Sequence, residues 1–477
     1  MITLFLGRAG QFLLMLITMR VATSLLSPQE MGRVSLVLTT TAFYVLFLVN
    51  PVGMFINRRL HAWQASGVAV HYLTWYGAYL LLVALIATLS LPVLVSSGVV
   101  STAIPLLWLI LLVSASILFT TLNQTAIPSL NLLGYNLWFV WLSLASTGAS
   151  LVFASYLAWV VAPLAQYWVL GLLIGQTLLA CVGVWVVVHQ LKKVTKNGFQ
   201  LRIEGNQLRG LFDYAWPVAL AAGLAWVQGQ GYRYLIEDQL GLAKLGMFVA
   251  GYGVSLGLIA GLESVLTAYF QPRLYQNANS DQAELRLKAW RAYASALIPA
   301  LLLTVVLVIV LAPELSQLFL GQNFQSAVDF VIWGALAEAG RSLMGVYSLI
   351  AHVQMRTRWL IIPNLIGATL SMVLCVAMIP IFDLQGIGLA LTLASFSVVL
   401  VLYWNLGRPV GGGIDVRSLL VVIFYSMVLW LTALIVRSTW GDVNWVTIFI
   451  NVVVVGVAYF YMQFRLLKPH LRLKVGS

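Results

Sequence analysis

Charge is what this chain has least of. Asp, Glu, Lys and Arg together make up 8% of its 477 residues, where an ordinary soluble domain carries about 25%. So little charge excludes a water-soluble globular fold for most of the sequence, and with hydrophobic residues at 61% the chain needs lipid as its solvent. Cysteine is almost missing: Cys181 and Cys375 each fall inside an apolar run, so no disulfide framework is expected and both read as small packing residues. His61, His71, His189, His352 and His470 have no metal-ligand spacing, and no glycine loop followed by lysine occurs. No catalytic residue, metal or cofactor is therefore expected, and the chain does not read as an enzyme. Long polar segments are also scarce. The longest, His189 to Arg209 and Gln276 to Lys288, are too short to fold as separate extramembrane domains.

What the chain has is apolar runs of about 20 residues, the length a helix needs to cross the hydrocarbon core. Fourteen are expected, near residues 3–26, 33–57, 71–94, 102–122, 133–156, 166–189, 212–236, 246–270, 292–313, 327–351, 359–381, 386–406, 417–436 and 443–464. The fold class is all-α, a polytopic membrane protein. The first run is too long for a secretory signal and carries Arg20 near its far end, so it is expected to stay attached as a transmembrane helix. Lys and Arg concentrate in alternate loops. One side holds only Arg33, Arg233, Lys244 and Arg437, which by the positive-inside rule places both termini in the cytoplasm. The net charge of +12 follows from those loops and implies no nucleic-acid partner.

An internal repeat is visible in spacing. Arg233 stands 13 residues before Gly246, with Arg273-Leu274 27 residues after that glycine; Arg20 stands 12 residues before Gly32, with Arg59-Leu60 27 residues after it. Spans one and seven run the same way, so the repeat is parallel, as in two-lobed transporters. The expected organisation is an N-lobe over 1–190, a linker over 191–210, a pseudo-symmetric C-lobe over 211–406, and two peripheral helices with a basic tail over 407–477. Each lobe would contain six helices, with a cavity between them as the working site.

Ionisable residues within spans are the site candidates, because a charge at the bilayer centre costs about 2.5–3.5 kcal/mol and needs a wet cavity or a partner. They are Arg8, Arg20, Asp213, Arg233, Glu263, Glu338 and Arg341. Arg8 and Asp213 can equally snorkel or cap a helix at the cytoplasmic face, and Arg233 can do so at the outer face. Glu338 and Arg341 are three apart on one helix face and can neutralise each other. Gln228 and Gln230, in a glycine-rich part of the seventh span, can hydrogen-bond a sugar or a neighbouring helix. Arg20 and Arg233 hold related positions in the repeat, and their planar guanidinium forks suit an anionic headgroup.

Several stretches together are similar to a known family. They are Arg20 followed by Leu26-Ser27-Pro28-Gln29-Glu30-Met31-Gly32; Tyr214 with Pro217; Arg233-Tyr234-Leu235 followed by Leu240-Gly241 and Leu245-Gly246; Pro272-Arg273-Leu274; Leu318-Phe319-Leu320-Gly321-Gln322-Asn323-Phe324 with Ala327; Asn364; Ile379-Pro380; and Gly386-Ile387-Gly388. Over roughly residues 5–406 the chain resembles the polysaccharide-transporter (Wzx-type flippase) branch of the multidrug/oligosaccharidyl-lipid/polysaccharide exporter superfamily. The resemblance implies a V-shaped pair of six-helix lobes around a cationic cavity. It also implies that lipid-linked oligosaccharides, usually on undecaprenyl pyrophosphate, pass from the cytoplasmic to the outer leaflet of a bacterial inner membrane. The family's cavity arginines map onto Arg20 and Arg233. Members often carry an acidic residue where Tyr232 stands here, and two spans follow the twelve-helix core.

The expected partners are thus a lipid-linked oligosaccharide, the lipid bilayer, a proton or sodium ion held by Glu263 with Asp213 and Glu338 as further coupling candidates, and other polysaccharide-assembly proteins. The substrate-binding candidates are Arg8, Arg20, Gln228, Gln230, Arg233 and Arg341. Three rivals remain at this level: a multidrug exporter of the same superfamily; a membrane-embedded polymerase or ligase, which would need a sizeable outer loop; and a non-transporting scaffold for glycan assembly, against which the buried charges weigh.

Overall fold

The computed structural model describes residues 2–98, 100, 104–192, 205–278, 283–354, 356–412, 415–440 and 445–471. Residues 193–204 of the expected linker and 472–477 of the basic tail lie outside them. Every regular element among the described residues is helical. In order these are α1 (Ile2–Leu25), α2 (Pro28–Tyr44), α3 (Asn50–Ala65), α4 (Ala69–Ser96), α5 (Leu106–Ala115), α6 (Thr121–Leu132), α7 (Asn136–Val160), α8 (Ala165–Lys192), α9 (Gly205–Trp226), α10 (Tyr232–Leu240), α11 (Leu242–Ala278), α12 (Ala283–Val310), α13 (Ala312–Phe319), α14 (Val328–Val353), α15 (Ile361–Leu402), α16 (Val416–Trp440) and α17 (Trp445–Leu471).

Three spans are built from two helices joined by a π-helical turn: α2 and α3 through Val45–Val49, α5 and α6 through Ser116–Thr120, and α9 and α10 through Val227–Gly231. Among the described residues, eleven helical stretches are long and apolar enough to cross a membrane. The stretch Arg358–Val410 covers two of the expected spans, because α15 is two helices joined across a kink at Asp383, whose φ of 54° and ψ of −137° are not helical. Aspartate is among the few L-residues that tolerate positive φ. α1 and α14, at 24 and 26 residues, are also long enough to span, but they carry Arg8 and Arg20 in one case and Asp329, Glu338 and Arg341 in the other.

The chain forms two compact units, Met1–Gly246 and Met247–Ser477. In the first, the motif that opens at Leu26 explains itself locally. Ser27 caps α2 by accepting the Glu30 N–H at 3.3 Å, and Pro28 occupies the first turn, where its missing N–H costs nothing. Glu30 is buried, yet its carboxylate accepts the Ala165 N–H at the start of α8 at 2.7 Å and pairs with Arg33 at 2.5 Å. Gly32 and Gly246 make a reciprocal crossing. A Cβ on Gly32 would strike the Leu242 carbonyl oxygen, and one on Gly246 would strike that of Pro28. Each glycine therefore lies against the backbone four residues before the other, which only a residue without a side chain permits.

The second unit is centred on Trp290 and Tyr347, both almost fully buried among side chains of α11, α12, α14 and α15. Trp290 donates to the Val346 carbonyl at 3.0 Å and Tyr347 to that of Gly412 at 3.0 Å, so neither polar edge is left unsatisfied. α16 and α17 pack against α12. Tyr459 and Thr304 share a hydrogen bond of 2.9 Å, while Phe449, Val457 and Phe460 face outward, as lipid contact requires. A buried carboxylate fastens them: Glu314 on α13 takes two hydrogen bonds from Arg437 on α16, at 2.8 and 2.7 Å, and one from Asn451 on α17 at 2.6 Å.

This junction predicts a stability signature. Glu314→Ala leaves Arg437 and Asn451 without their acceptor and should cost about 3 kcal/mol, the low end for a broken buried pair because Arg437 is partly open. Replacing Glu314 and Arg437 together by Met should recover most of that loss. Thermal unfolding in detergent micelles measures both, and equal losses in the single and double variants would contradict the assignment.

Candidate functional site

In the first unit, span seven is tied to α2 through side chains on both sides of its π-helical turn. The indole N–H of Trp226 donates to the Thr39 carbonyl at 3.1 Å, and the Thr39 hydroxyl donates to Gln230 Oε1 at 3.4 Å. Arg233 Nη1 donates to the same hydroxyl at 2.9 Å, and Thr40 and Tyr234 share a hydrogen bond of 2.7 Å. The Arg233 guanidinium lies 5.8 Å from the centroid of the Tyr232 ring, and its Nε is buried without a hydrogen bond. Among the described residues its partners are thus one neutral hydroxyl and one aromatic face, with no carboxylate. The side chain is half-buried, so the remaining N–H groups of the fork can still receive an oxyanion.

The other first-unit candidates lie as follows. Arg20 is half-buried on α1, and its carbonyl accepts from Ser24 at 2.7 Å. Arg8 is exposed, with its guanidinium 5.4 Å from the Phe139 ring of α7. Gln228 and Gln230 both fall in the π-helical turn Val227–Gly231, a feature common at functional positions. Asp213 falls on α9, and its side chain lies outside the described residues.

In the second unit three candidates converge. Glu338 on α14 is buried and accepts from Tyr252 on α11 at 2.8 Å and from Arg341 Nε. Arg341 also reaches Glu263 on α11 at 2.7 Å, and the same Glu263 oxygen accepts from Ser342 at 2.9 Å. The pairing of Glu338 with Arg341 expected from their spacing is therefore one half of a shared arrangement, in which one guanidinium serves two carboxylates. With all three ionised it carries one net negative charge. Arg341 is 43% exposed and Glu263 19%, against 2% for Glu338, so the Glu263 side is the one an incoming ligand or ion can reach.

Sequence reasoning missed the neutral partners. Thr39 and Thr40 belong to the run Thr39-Thr40-Thr41 inside an apolar span, and that run is the signal that could have found them. Tyr252 and Ser342 carry no such mark. Also missed was a polar network in the first unit, where Asn123 donates to Ser146 at 2.8 Å and Thr120 donates to Gln176 at 2.6 Å. Among the described residues no group of three or more His, Cys, Asp or Glu side chains converges as a metal site.

The unequal burial of the two carboxylates makes a prediction. Glu338→Gln should lower stability by about 1–3 kcal/mol, the cost of a lost charged hydrogen bond in a buried place. Glu263→Gln should cost less than about 1 kcal/mol because that end is open. Unfolding midpoints in nanodiscs compare them, and a larger loss for Glu263→Gln would reverse the assignment of the inner and outer partner.

Comparison with known proteins follows from this geometry. The family model described as "Polysaccharide biosynthesis protein" matches residues 21–329. No curated protein matches the chain. Among solved structures, the lipid II flippase MurJ in an inward closed conformation is 14% identical, covering 99% of this chain and 100% of its own with a TM-score of 0.64. A multidrug resistance MATE family transporter of the MOP superfamily, inward-facing, is 13% identical, covering 86% and 95% with a TM-score of 0.57. A MOP superfamily transporter from Pyrococcus furiosus, whose binding pocket is described as having reverse polarity, is 14% identical, covering 85% and 94% with a TM-score of 0.56. At these identities the likeness is one of fold.

Proposed function

Because this chain belongs to the polysaccharide biosynthesis protein family, we propose that it is a flippase for a lipid-linked oligosaccharide, carrying it from the cytoplasmic to the outer leaflet of a bacterial inner membrane. The observation that carries this reading is Arg233, a half-buried guanidinium whose partners among the described residues are a hydroxyl and a ring. Such a group has donors to spare for a phosphate, and its charge holds at any working pH. In this reading Arg20 joins it from the other copy of the repeat, and the lobes over 1–190 and 211–406 alternate access to the cavity between them. Gln228 and Gln230 take sugar hydroxyls, and Arg8 and Arg341 supply further positive potential along the path. The carrier lipid is undecaprenyl pyrophosphate or a close chemical relative.

The direction of transport is consistent with the charges. Moving one negative charge outward across a membrane that is 100 mV negative inside releases about 2.3 kcal/mol. A pyrophosphate headgroup therefore leaves downhill. Glu263, on the open side of its cluster, is the proposed proton or sodium site, with Glu338 and Asp213 as subsidiary acids. An anionic headgroup that takes Arg341 would release Glu263 to bind a cation. Both termini lie in the cytoplasm, and other assembly proteins take the product on the far side. The fold of multidrug MATE transporters favours small-molecule export as a second reading, but a guanidinium lacking a carboxylate repels the organic cations such a site would need.

Cells lacking the protein should accumulate lipid-linked oligosaccharide in the cytoplasmic leaflet, and the wild-type chain should relieve it. Arg233→Ala and Arg20→Ala should each lower export about tenfold to a hundredfold, the equivalent of one charged hydrogen bond, with membrane insertion unchanged. Normal export by the double variant would remove this site, and absence of accumulation would move the reading to small-molecule export.

A further inference from the structure

Threonine inside a helix commonly returns its hydroxyl proton to the carbonyl four residues back, and several in this chain do so. Thr40 and Thr41 donate to the carbonyls of Leu36 and Val37 at 2.8 and 2.9 Å, Thr304 to that of Ala300 at 2.7 Å and Thr392 to that of Gly388 at 2.8 Å. Thr39, next to Thr40 on α2, does not. Its hydroxyl is turned off its own helix toward span seven, where the oxygen accepts from Arg233 Nη1 at 2.9 Å and the proton goes to Gln230 Oε1 at 3.4 Å. The second of these is long for a bond between two oxygens, so the bond from Arg233 is the one that sets the rotamer.

Thr39 is fully buried and lies out of a ligand's reach. It acts on the groups that are within reach. The Trp226 indole before the π-helical turn donates to its carbonyl at 3.1 Å, Gln230 within the turn takes its proton, and Arg233 after the turn gives it an N–H. Because Nε of Arg233 is buried without a hydrogen bond, Thr39 is the hydrogen-bonded anchor of that guanidinium among the described residues. Gln230 is held by its oxygen, which turns its NH2 away from Thr39 and leaves two donors for a ligand. Gly229, beside Gln230 and four residues before Arg233, is exposed, and no atom of the described residues lies within 4 Å of where its Cβ would stand. A long side chain fixed before its ligand arrives loses less entropy on binding.

Building on the flippase reading, we propose that Thr39 is a positioning residue of the headgroup site. Its one hydroxyl fixes the Arg233 fork and the Gln230 carboxamide relative to each other, so that the first donates to the phosphate and the second to an oxygen of the sugar joined to it. The departure of Thr39 from the carbonyl of its own helix is the mark of that role.

The test is a double-variant cycle on the full chain in nanodiscs, reading the binding of farnesyl pyrophosphate, with farnesol as the uncharged reference. Thr39→Val keeps the carbonyl that Trp226 uses and removes the hydroxyl. It should weaken farnesyl pyrophosphate binding about threefold to tenfold in the otherwise unchanged chain and leave farnesol binding where it was. Thr39→Ser, which keeps the hydroxyl, should bind within about twofold of wild type. Arg233→Ala should itself bind about tenfold more weakly or worse. In that background Thr39→Val should change binding by less than about twofold, since a positioning residue acts only through the group it positions. If Thr39→Val does not reach the membrane, Thr39→Cys, whose thiol accepts poorly, takes its place in the cycle. An equal loss in both backgrounds, or none in the otherwise unchanged chain, overturns the proposal and leaves the headgroup site standing. Binding by Arg233→Ala equal to wild type removes the headgroup site itself, whatever the Thr39 variants do.

Discussion

A charged side chain inside a bilayer persists only where something replaces its water, and this requirement decides which arginines in the chain are structural. Arg33, Arg341 and Arg437 each meet a carboxylate, on Glu30, on Glu263 and Glu338, and on Glu314 respectively. In each case the carboxylate also takes a hydrogen bond from another element: the α8 N-terminus, Tyr252 or Asn451. Removing one partner of such a pair strands the other charge, which costs more than it releases. Arg233 is different. Among the described residues its guanidinium rests on the Tyr232 ring and the Thr39 hydroxyl. A half-buried guanidinium whose partners among the described residues are a hydroxyl and a ring keeps donors for an anion, as the proposed function needs.

How much of this was legible follows from the kind of signal each feature leaves. The all-helical, membrane-spanning character could be read because lipid demands about 20 apolar residues per crossing, and eleven stretches among the described residues meet that demand against the fourteen spans expected. Gly32 and Gly246 were legible only as equivalent positions of an expected repeat; that they cross, each against the other's chain at Pro28 and Leu242, is a contact the spacing did not announce. Ser27 and Pro28 open α2 five residues before the span expected near 33–57, a helix start that hydropathy alone did not mark. The partners were not legible. Thr39, Tyr252, Ser342 and Asn451 are neutral, occur singly or in short runs, and impose no periodicity. Which of them meets a charge depends on how helices distant in sequence are rotated against one another, and hydropathy carries no record of rotation.

The π-helical turn in span seven shows why rotation matters. In an uninterrupted α-helix each residue advances about 100° around the axis, and residues seven and eight apart on one stripe drift away from a fixed neighbour. The turn Val227–Gly231 widens the repeat locally, and Trp226, Gln230, Arg233 and Tyr234 all reach Thr39 or Thr40. The backbone hydrogen bonds weakened by the wider turn are offset by this set of side-chain contacts, which keeps Gln228 and Gln230 in the same turn as the approach to the guanidinium. The same device recurs at Ser116–Thr120, where Thr120 at the end of the turn donates to Gln176 and Asn123 just after it donates to Ser146 and to the Gln176 carbonyl, while Phe119 and Leu122 line an apolar cavity against α8. One local change of helical pitch thus serves two faces at once, a polar one toward the bundle and an apolar one toward lipid.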